Sequence, residues 1–412
     1  VNEPEKRVSS YETAAEFDDF DQSQDELNWM HAERVLRQDM RIDSVLMPRS
    51  ERTGIEVQGR LFRASHEVFG RWVQRLAELQ LLPFLAPDPD QADPNAVKVS
   101  LVAAPQSPRP PRIAVNIVLF LLTCLSTMWV GSLYGATSPA ALRNPWDPNQ
   151  LLSGWPFAGT LLLILGIHEL GHFFAARYHG IAVSLPYFIP VPLSFGTLGA
   201  FIRLRQPVWD RRKLFDVGVA GPLAGLVVAL PLLYVGLSTS ELSFWSGSVG
   251  LEGNSLLYLG AKYLVFAEWL PNFTTGHDVS VNQVAFAAWI GLLATGLNLL
   301  PIGNLDGGHV VFSLFGFKAR IWNQGALVLL AFLGVSGFRP LQEAWPFLEH
   351  IGYTYWLFWV WFLFLVVGSN HAATLDMVTE LDPVRRWIGY GTLILFVVTF
   401  VPVPFRQITF VG

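Results

Sequence analysis

His168, Glu169 and His172 form the run HELGH, the most specific combination of chemistry-bearing residues in the chain. On a helix, histidines four positions apart share one face, so both imidazoles can reach a single cation. Glu169 stands beside them, where its carboxylate can take a proton from water activated by that cation. Two imidazoles leave a catalytic zinc short of a third protein ligand. Asp306, in NLLPIGNLDGGH (298–309), is the acidic residue of the charge-poor region best placed to supply it. Pro301, Gly303, Gly307 and Gly308 surround it; such residues break a helix and let backbone approach a metal closely. Two histidines and one aspartate with an open position describe a catalytic site rather than a structural one.

The elements that must position these groups are set by composition. Of 412 residues, 51% are hydrophobic and 15% charged, with mean hydropathy +0.37; soluble domains carry about 25% charged residues. Residues 1–112 hold 14 of the 28 Lys and Arg and 19 of the 33 Asp and Glu. A soluble N-terminal piece followed by a long membrane-embedded body is therefore expected. The net charge of −5, without a basic cluster before Arg203, excludes nucleic acid as a partner. The single cysteine, Cys124, permits neither an internal disulfide nor a cysteine zinc site.

Residues 1–26 are acidic and polar, and are read as a disordered tail with no leader character, so membrane insertion is expected to begin at internal segments. Residues 27–104 read as a small α/β domain. Ile55, Val57 and Leu61 alternate as in a half-buried strand, 66–81 has an amphipathic helical pattern, and Val97, Val99 and Leu101 alternate again. PQSPRPPR (105–112) is a proline-rich linker.

The body, 113–412, contains eight windows without Asp, Glu, Lys or Arg: 113–142, 148–168, 178–202, 217–240, 279–305, 321–338, 350–375 and 387–405. About 20 apolar residues cross the hydrocarbon as a helix, so six to eight transmembrane helices are expected, seven being the working number. The window 178–202 contains Pro186, Pro190 and Pro192 and reads instead as a re-entrant stretch ending in a short extended piece, or hairpin, near GTLGAFIRL. Lys and Arg cluster at 109–112, 203–213, 318–320 and 385–386, which places the N-terminal domain in the cytoplasm; the opposite loops hold only Arg143, Lys262 and Arg339.

HELGH in an early span, AGPLAG (220–225) in the next and NLLPIGNLDGG further on together resemble the site-2 protease family of intramembrane zinc metallopeptidases. SLPYFIPVPLSFGTLGA (184–200) is similar to the segment that follows the metal helix in bacterial, archaeal and plastid members. The resemblance covers 157–312. It implies one zinc per chain bound by His168, His172 and Asp306, with Glu169 as general base. It implies Asn298 near the substrate carbonyl and Gly196, Thr197 and Gly199 on a strand beside the cleft. It also implies close helix packing through AGPLAG. The loop 241–278 is too short for the PDZ domain that many relatives carry between spans.

The expected function is an intramembrane endopeptidase that cuts the transmembrane segment of a single-span membrane protein, as in regulated intramembrane proteolysis. Two other classes stay open: a transporter or channel with a buried ion site, and a metal-binding membrane scaffold without proteolytic activity. The expected location is the plasma membrane of a prokaryote, with an organelle membrane as the alternative. His179 and His309 are candidates for hydrogen-bonding the metal ligands.

Overall fold

The computed structural model describes residues 22–46, 54–104, 112–134, 147–245, 248–367 and 374–409, apart from Pro89, Ala92 and Pro94. The expected tail up to residue 21 and the linker at 105–111 lie outside the described residues. The chain divides into two compact units.

The first unit combines the N-terminal region with Pro207–Leu214 and Ala373–Asp382. It contains α1 (Gln22–Arg37), β1 (Met40–Leu46), β2 (Ile55–Leu61), α2 (Ser65–Ala77), β3 (Leu81–Pro87) and β4 (Ala96–Ala103). The sheet order is β1-β2-β4-β3, with every named pair antiparallel. Val68, Phe69, Trp72, Val73 and Leu76 are buried along one face of α2 at helical spacing. Val57, Val97, Val99 and Leu101 join them from the sheet.

Three details differ from the sequence reading. Helix α1 begins at Gln22, inside the stretch expected to be disordered; its later residues Ala32 and Leu36 are fully buried, and burial anchors a helix whose first turns are polar. The amphipathic helix stops at Ala77, because Gln80 takes a left-handed φ of 55° and Pro83 cannot continue a helix. The following LLPFLAP is strand β3.

The third difference is that the unit does not close at residue 104. The Leu85 amide donates to the Leu375 carbonyl at 2.7 Å, and the Met377 amide donates to the Leu85 carbonyl at 2.8 Å, extending the sheet past β3. Asp376 is fully buried there, and its carboxylate accepts from the Val378 and Thr379 amides at 2.8 and 3.0 Å. Burial pushes the Asp376 carboxyl up, and those hydrogen bonds oppose the shift.

The second unit holds α3 (Ile113–Tyr134), α4 (Trp155–Tyr178), β5 (Tyr187–Pro190), β6 (Thr197–Phe201), α5 (Arg211–Ser238) from Phe215 onward, β7 (Glu241–Phe244) and β8 (Ser248–Glu252). These are followed by α6 (Leu256–Phe266), β9 (His277–Ser280), α7 (Gln283–Asn298), α8 (Asp306–Phe315) and α9 (Ala319–Val335). The last elements are α10 (Trp356–Phe362), α11 (Pro383–Thr399) and β10 (Phe405–Thr409). Phe157, Leu161 and Ile164 of α4 share one core with Leu226 and Leu233 of α5 and with Ala288 and Trp289 of α7.

Among the described residues three helices are long and apolar enough to cross a membrane: α3, α4 and α5, of 22, 24 and 28 residues. The remaining windows give shorter helices, because a charge-free window is not the same thing as an unbroken helix. The window 279–305 ends as a helix at Asn298, where Pro301 and a positive φ at Gly303 turn the chain. The windows at 321–338 and 387–405 give helices of 17 residues each.

The window 178–202 forms the β5–β6 hairpin, in which Tyr187 pairs with Phe201 and Phe188 with Ala200. The loop 241–278 is likewise ordered: β7 pairs with β9, β8 with β10, and α6 lies between. Lys262, counted from the sequence as a loop cation, is fully buried within 3.0 Å of both Glu252 and Asp278. It is therefore an internal ion-pair partner and not a free charge on that side.

Candidate metal centre

Helix α4 presents His168, Glu169 and His172, all buried, at 3%, 5% and 6% exposure. His168 Nε2 and His172 Nε2 face each other at 3.2 Å. Asp306 turns one oxygen to each ring: Oδ2 lies 3.2 Å from His168 Nε2 and Oδ1 3.2 Å from His172 Nε2. Ligands about 2.0–2.1 Å from a tetrahedral ion are roughly 3.3 Å apart, so these separations are of the size a shared cation requires. Ligand atoms of His168, Glu169 and His172 also lie within 4.8 Å of one another. Glu169 belongs to the same cluster, but the Asp306 carboxylate is the group in contact with both rings.

The His172 ring is oriented by backbone. Its Nδ1 lies 2.7 Å from the Val217 carbonyl oxygen on α5. A carbonyl can only accept, so Nδ1 carries the proton and, in the neutral ring, Nε2 keeps a lone pair directed at Asp306 and His168. This contact needs α4 and α5 to be very close. A methyl at Gly221 would lie 2.1 Å from His172 Nε2, so only glycine fits there. On the opposing helix, a methyl at Gly171 would lie 2.6 Å from the Ala220 carbonyl oxygen. The AGPLAG run thus brings two helix backbones together against the histidines, as small residues do in membranes.

Asp306 is the first residue of α8, where a carboxylate meets the positive end of the helix. The turn before it is tight: a methyl on Gly307 would lie 2.0 Å from the Leu299 carbonyl oxygen. Asn298 closes α7, and its Nδ2 lies 3.4 Å from His168 Nε2. The break between α7 and α8 therefore brings Asn298 and Asp306 to the same imidazole.

Gly196, Thr197 and Gly199 lie on the β5–β6 hairpin, where Thr197 Oγ1 donates to the Ile189 carbonyl at 2.9 Å. Gly196 and Gly199 have positive φ, +82° and +106°. Among the described strands β6 pairs only with β5. A groove of about 630 Å³ opens between α3, α4 and the start of the hairpin, lined by Asn116, Phe120, Gly166, Ile167, Leu185 and Phe188.

Two other histidines take different roles. His179 Nε2 bonds Asp216 Oδ2 at 2.8 Å, and Arg385 grips the same carboxylate at 2.8 and 2.7 Å. It ties the end of α4 to α5 and α11, and its bonded ring nitrogen faces Asp216. His309 stands against Gly218, where an added methyl would meet its Cβ at 2.8 Å. The residues that sequence reasoning missed are Val217 and Gly221. Val217 acts through its backbone carbonyl, which residue type does not reveal. Gly221 could be found, because AGPLAG marks a close-packed helix face.

The donor set fits a divalent metal: two buried imidazoles, one with its tautomer fixed, and one half-buried carboxylate. Comparison with known proteins agrees. Residues 156–335 match the family described as Peptidase family M50. Over 294 residues the chain is 31% identical to a probable zinc metalloprotease, EGY2, chloroplastic, of Arabidopsis thaliana, covering 69% of this chain and 48% of that protein. It is 30% identical over 322 residues to EGY1 of Oryza sativa subsp. japonica, described in the same words, covering 71% of this chain and 55% of the other. It is 28% identical over 380 residues to EGY1 of Arabidopsis thaliana, covering 85% and 66%. The chain spans about half the length of the first two relatives.

Proposed function

From the peptidase family M50 domain that the chain carries at residues 156–335, we propose that the protein is an intramembrane zinc endopeptidase. The observation that carries this reading is the meeting of His168, His172 and Asp306 at 3.2 Å, with Glu169 on the same helix turn. His168, His172 and Asp306 hold one zinc per chain. Bound zinc supplies Lewis acidity, acidifying water and polarising a peptide carbonyl.

The chain's own residues do the rest. Glu169 takes the proton from the attacking water and returns it to the leaving amine. The Asn298 amide donates to the oxygen on which negative charge develops. The free edge of β6, with Gly196, Thr197 and Gly199, receives the substrate as an added strand. A peptide bond inside a membrane helix has its carbonyl shielded, and unwinding it exposes polar backbone that hydrocarbon cannot satisfy; an unpaired strand edge can. The groove lined by Asn116, Phe120 and Phe188 supports lateral arrival of an apolar segment between α3 and α4.

The substrate is the transmembrane segment of a single-span membrane protein, and the bilayer is the working environment. The body is read as polytopic with six to eight crossings: to the three long helices it adds α9 and α11, each 17 residues and at the lower limit for a span, and the shorter apolar α7 and α10. The N-terminal α/β unit lies on the cytoplasmic or equivalent side. The relatives are named as chloroplastic, which favours an organelle membrane or its counterpart over the prokaryotic plasma membrane expected from sequence.

The test compares membrane-protein fragments between cells expressing the wild-type chain and Glu169→Gln. Fragments cut within an apolar segment should vanish in the variant while its zinc content stays at one per chain. Equal cleavage by both proteins would falsify the mechanism.

A further inference from the structure

Helix α6 turns its charge inward and its large apolar side chains outward. Of the five charged residues in 241–278, Glu252, Lys262 and Asp278 form one buried ion cluster, with Lys262 Nζ 3.0 Å from each carboxylate. Lys262 is the only charge on α6 and shares its inner face with Tyr258, which is also fully buried. The opposite face carries Leu256, Gly260, Tyr263 and Leu264 at helical spacing. Leu256 is 61% and Leu264 80% exposed, and a methyl at Gly260 would meet nothing within 4 Å. Trp269, 63% exposed, stacks on Tyr263 at 4.7 Å and extends that face. A loop that faces water has the reverse arrangement, and a continuous apolar patch of this kind marks a surface that meets a membrane or another protein.

The start of α6 is sunk beside the helix bundle. Trp289 Nε1 donates to the Gly253 carbonyl at 2.8 Å. Trp289 lies in the second turn of α7, six residues after Gln283, which is about 9 Å of helix rise. The Gly253 amide donates to the Pro404 carbonyl at 2.8 Å, just past the end of α11. Ser255 Oγ then accepts from the Tyr258 amide, and α6 begins. The other end of α6 is polar. Ala267 takes a left-handed φ of 55°, and Glu268, Asn272 and the exposed Thr274 and Thr275 follow. The chain enters this region from α5, which is long and apolar enough to cross a membrane, and leaves it into the apolar α7.

We propose that α6 is a membrane-dipping helix whose outer face binds the lipid leaflet on the side where α5 ends and α7 begins. Leu256 and Leu264 face acyl chains. Tyr263 and Trp269 lie at headgroup level, where rings with one polar edge are favoured. Hydrocarbon tolerates this face because Lys262 finds its counter-charges on the inner side. Eleven residues are too few to span, so α6 enters and leaves on one side. Lipid is the partner that the flanking helices themselves bring to this face. The assignment rests on α5 crossing the bilayer and is independent of the endopeptidase reading.

The test uses the full chain carrying Cys124→Ser, in vesicles of equal parts phosphatidylcholine and phosphatidylglycerol. One nitroxide at a time is attached at Leu256→Cys, Gly260→Cys, Leu264→Cys, Trp269→Cys or Thr275→Cys. Val227→Cys, at an exposed position midway along α5, is the lipid reference. Power saturation reads collisions with oxygen, which concentrates in lipid, against those with a water-soluble nickel chelate. The ratio of oxygen to nickel collisions at Leu256→Cys, Gly260→Cys and Leu264→Cys should approach that at Val227→Cys. It should fall at Trp269→Cys and invert at Thr275→Cys. Nickel collisions that dominate at Leu264→Cys, with Val227→Cys in lipid, overturn the proposal. Low access to both reagents with spin–spin broadening at Leu264→Cys overturns it in favour of a second copy of the chain. Nickel collisions that dominate at Val227→Cys remove the crossing by α5 and the proposal with it. Should Leu256→Cys fail to fold, Gly260→Cys and Leu264→Cys decide, because Gly260 faces open space and Leu264 is exposed.

Discussion

Nδ1 of His172 lies 2.7 Å from the Val217 carbonyl oxygen, and this contact decides which ring nitrogen is free to face the metal cluster. The proton must sit on Nδ1, so Nε2 is left as a donor of electrons toward Asp306 Oδ1, 3.2 Å away. The ring angle is set by how near α5 comes to α4, and that distance is set by Gly221.

Gly221→Ala should therefore cost the protein its metal. The added methyl would lie 2.1 Å from His172 Nε2, and the ring would have to swing away from Val217. Disturbing such an orienting contact typically lowers metal affinity about 10–100-fold. Zinc per chain, measured on purified protein, should drop well below one. Gly260→Ala, where an added methyl meets nothing within 4 Å, should bind zinc as the wild type does.

Asn298→Ala should separate binding of the metal from turnover. Asn298 Nδ2 is 3.4 Å from His168 Nε2, at the edge of the cluster, and it is not a ligand. Removing one donor to a developing oxyanion costs about 100-fold or more in kcat. Cleavage of a single-span membrane protein in detergent should show that loss with zinc content unchanged; a variant without zinc would assign Asn298 a structural part.

Chelation supplies a reversible version of the same question. Dialysis against a strong chelator should abolish proteolysis, and one equivalent of zinc should restore it. Activity that survives at less than about a tenth of an equivalent of bound metal would exclude the proposed chemistry.

Lys262 offers a stability prediction far from the metal. Its ammonium is fully buried between Glu252 and Asp278, and Tyr258 donates to Glu252 at 2.8 Å. Burial pushes the Asp278 carboxyl up while Lys262 pulls it down. Lys262→Met would leave two buried carboxylates without their cation, a change that costs about 3–5 kcal/mol. Thermal unfolding in detergent should show a large fall in Tm. The triple variant Lys262→Met, Glu252→Gln, Asp278→Asn should recover part of it.

Glu268 carries the pH prediction. Hydrogen bonds from Asn272 and His277 hold its carboxyl below the ordinary carboxylate range. A carboxyl lowered in the folded state adds stability above its unfolded pKa and loses it as pH falls through the folded value. Protection factors of the 268–277 loop amides should thus decline on acidification below about pH 4.5. Glu268→Gln should flatten that decline, and an unaltered profile in the variant would remove Glu268 from the account.

How far the chain could be read from its residues differs from site to site. HELGH is self-contained, because helix periodicity alone puts His168 and His172 on one face. The β5–β6 hairpin was legible from the prolines and glycines of 178–202. The helix lengths were not: charge-free windows do not see that Pro301 and Gly303 end α7 at Asn298. Lys262 looked like a loop cation because its partners, Glu252 and Asp278, lie 10 and 16 positions away and meet it only when α6 folds between β8 and β9.

By itself the sequence determined which donor types the protein possesses and which local elements present them: two imidazoles and a carboxylate on one buried helix, a second carboxylate behind a glycine-rich break, and an apolar body to enclose them. Only the tertiary structure decided that Asp306 meets His168 across 138 positions of chain, that Val217 orients His172, and that Asn116 and Ser126 fasten the β5–β6 hairpin to α3. The reason is physical. Side-chain type and periodicity are local properties of the chain, whereas coordination and buried hydrogen bonding depend on distances of about 3 Å between segments that sequence keeps far apart, and often on backbone amides and carbonyls that every residue carries alike.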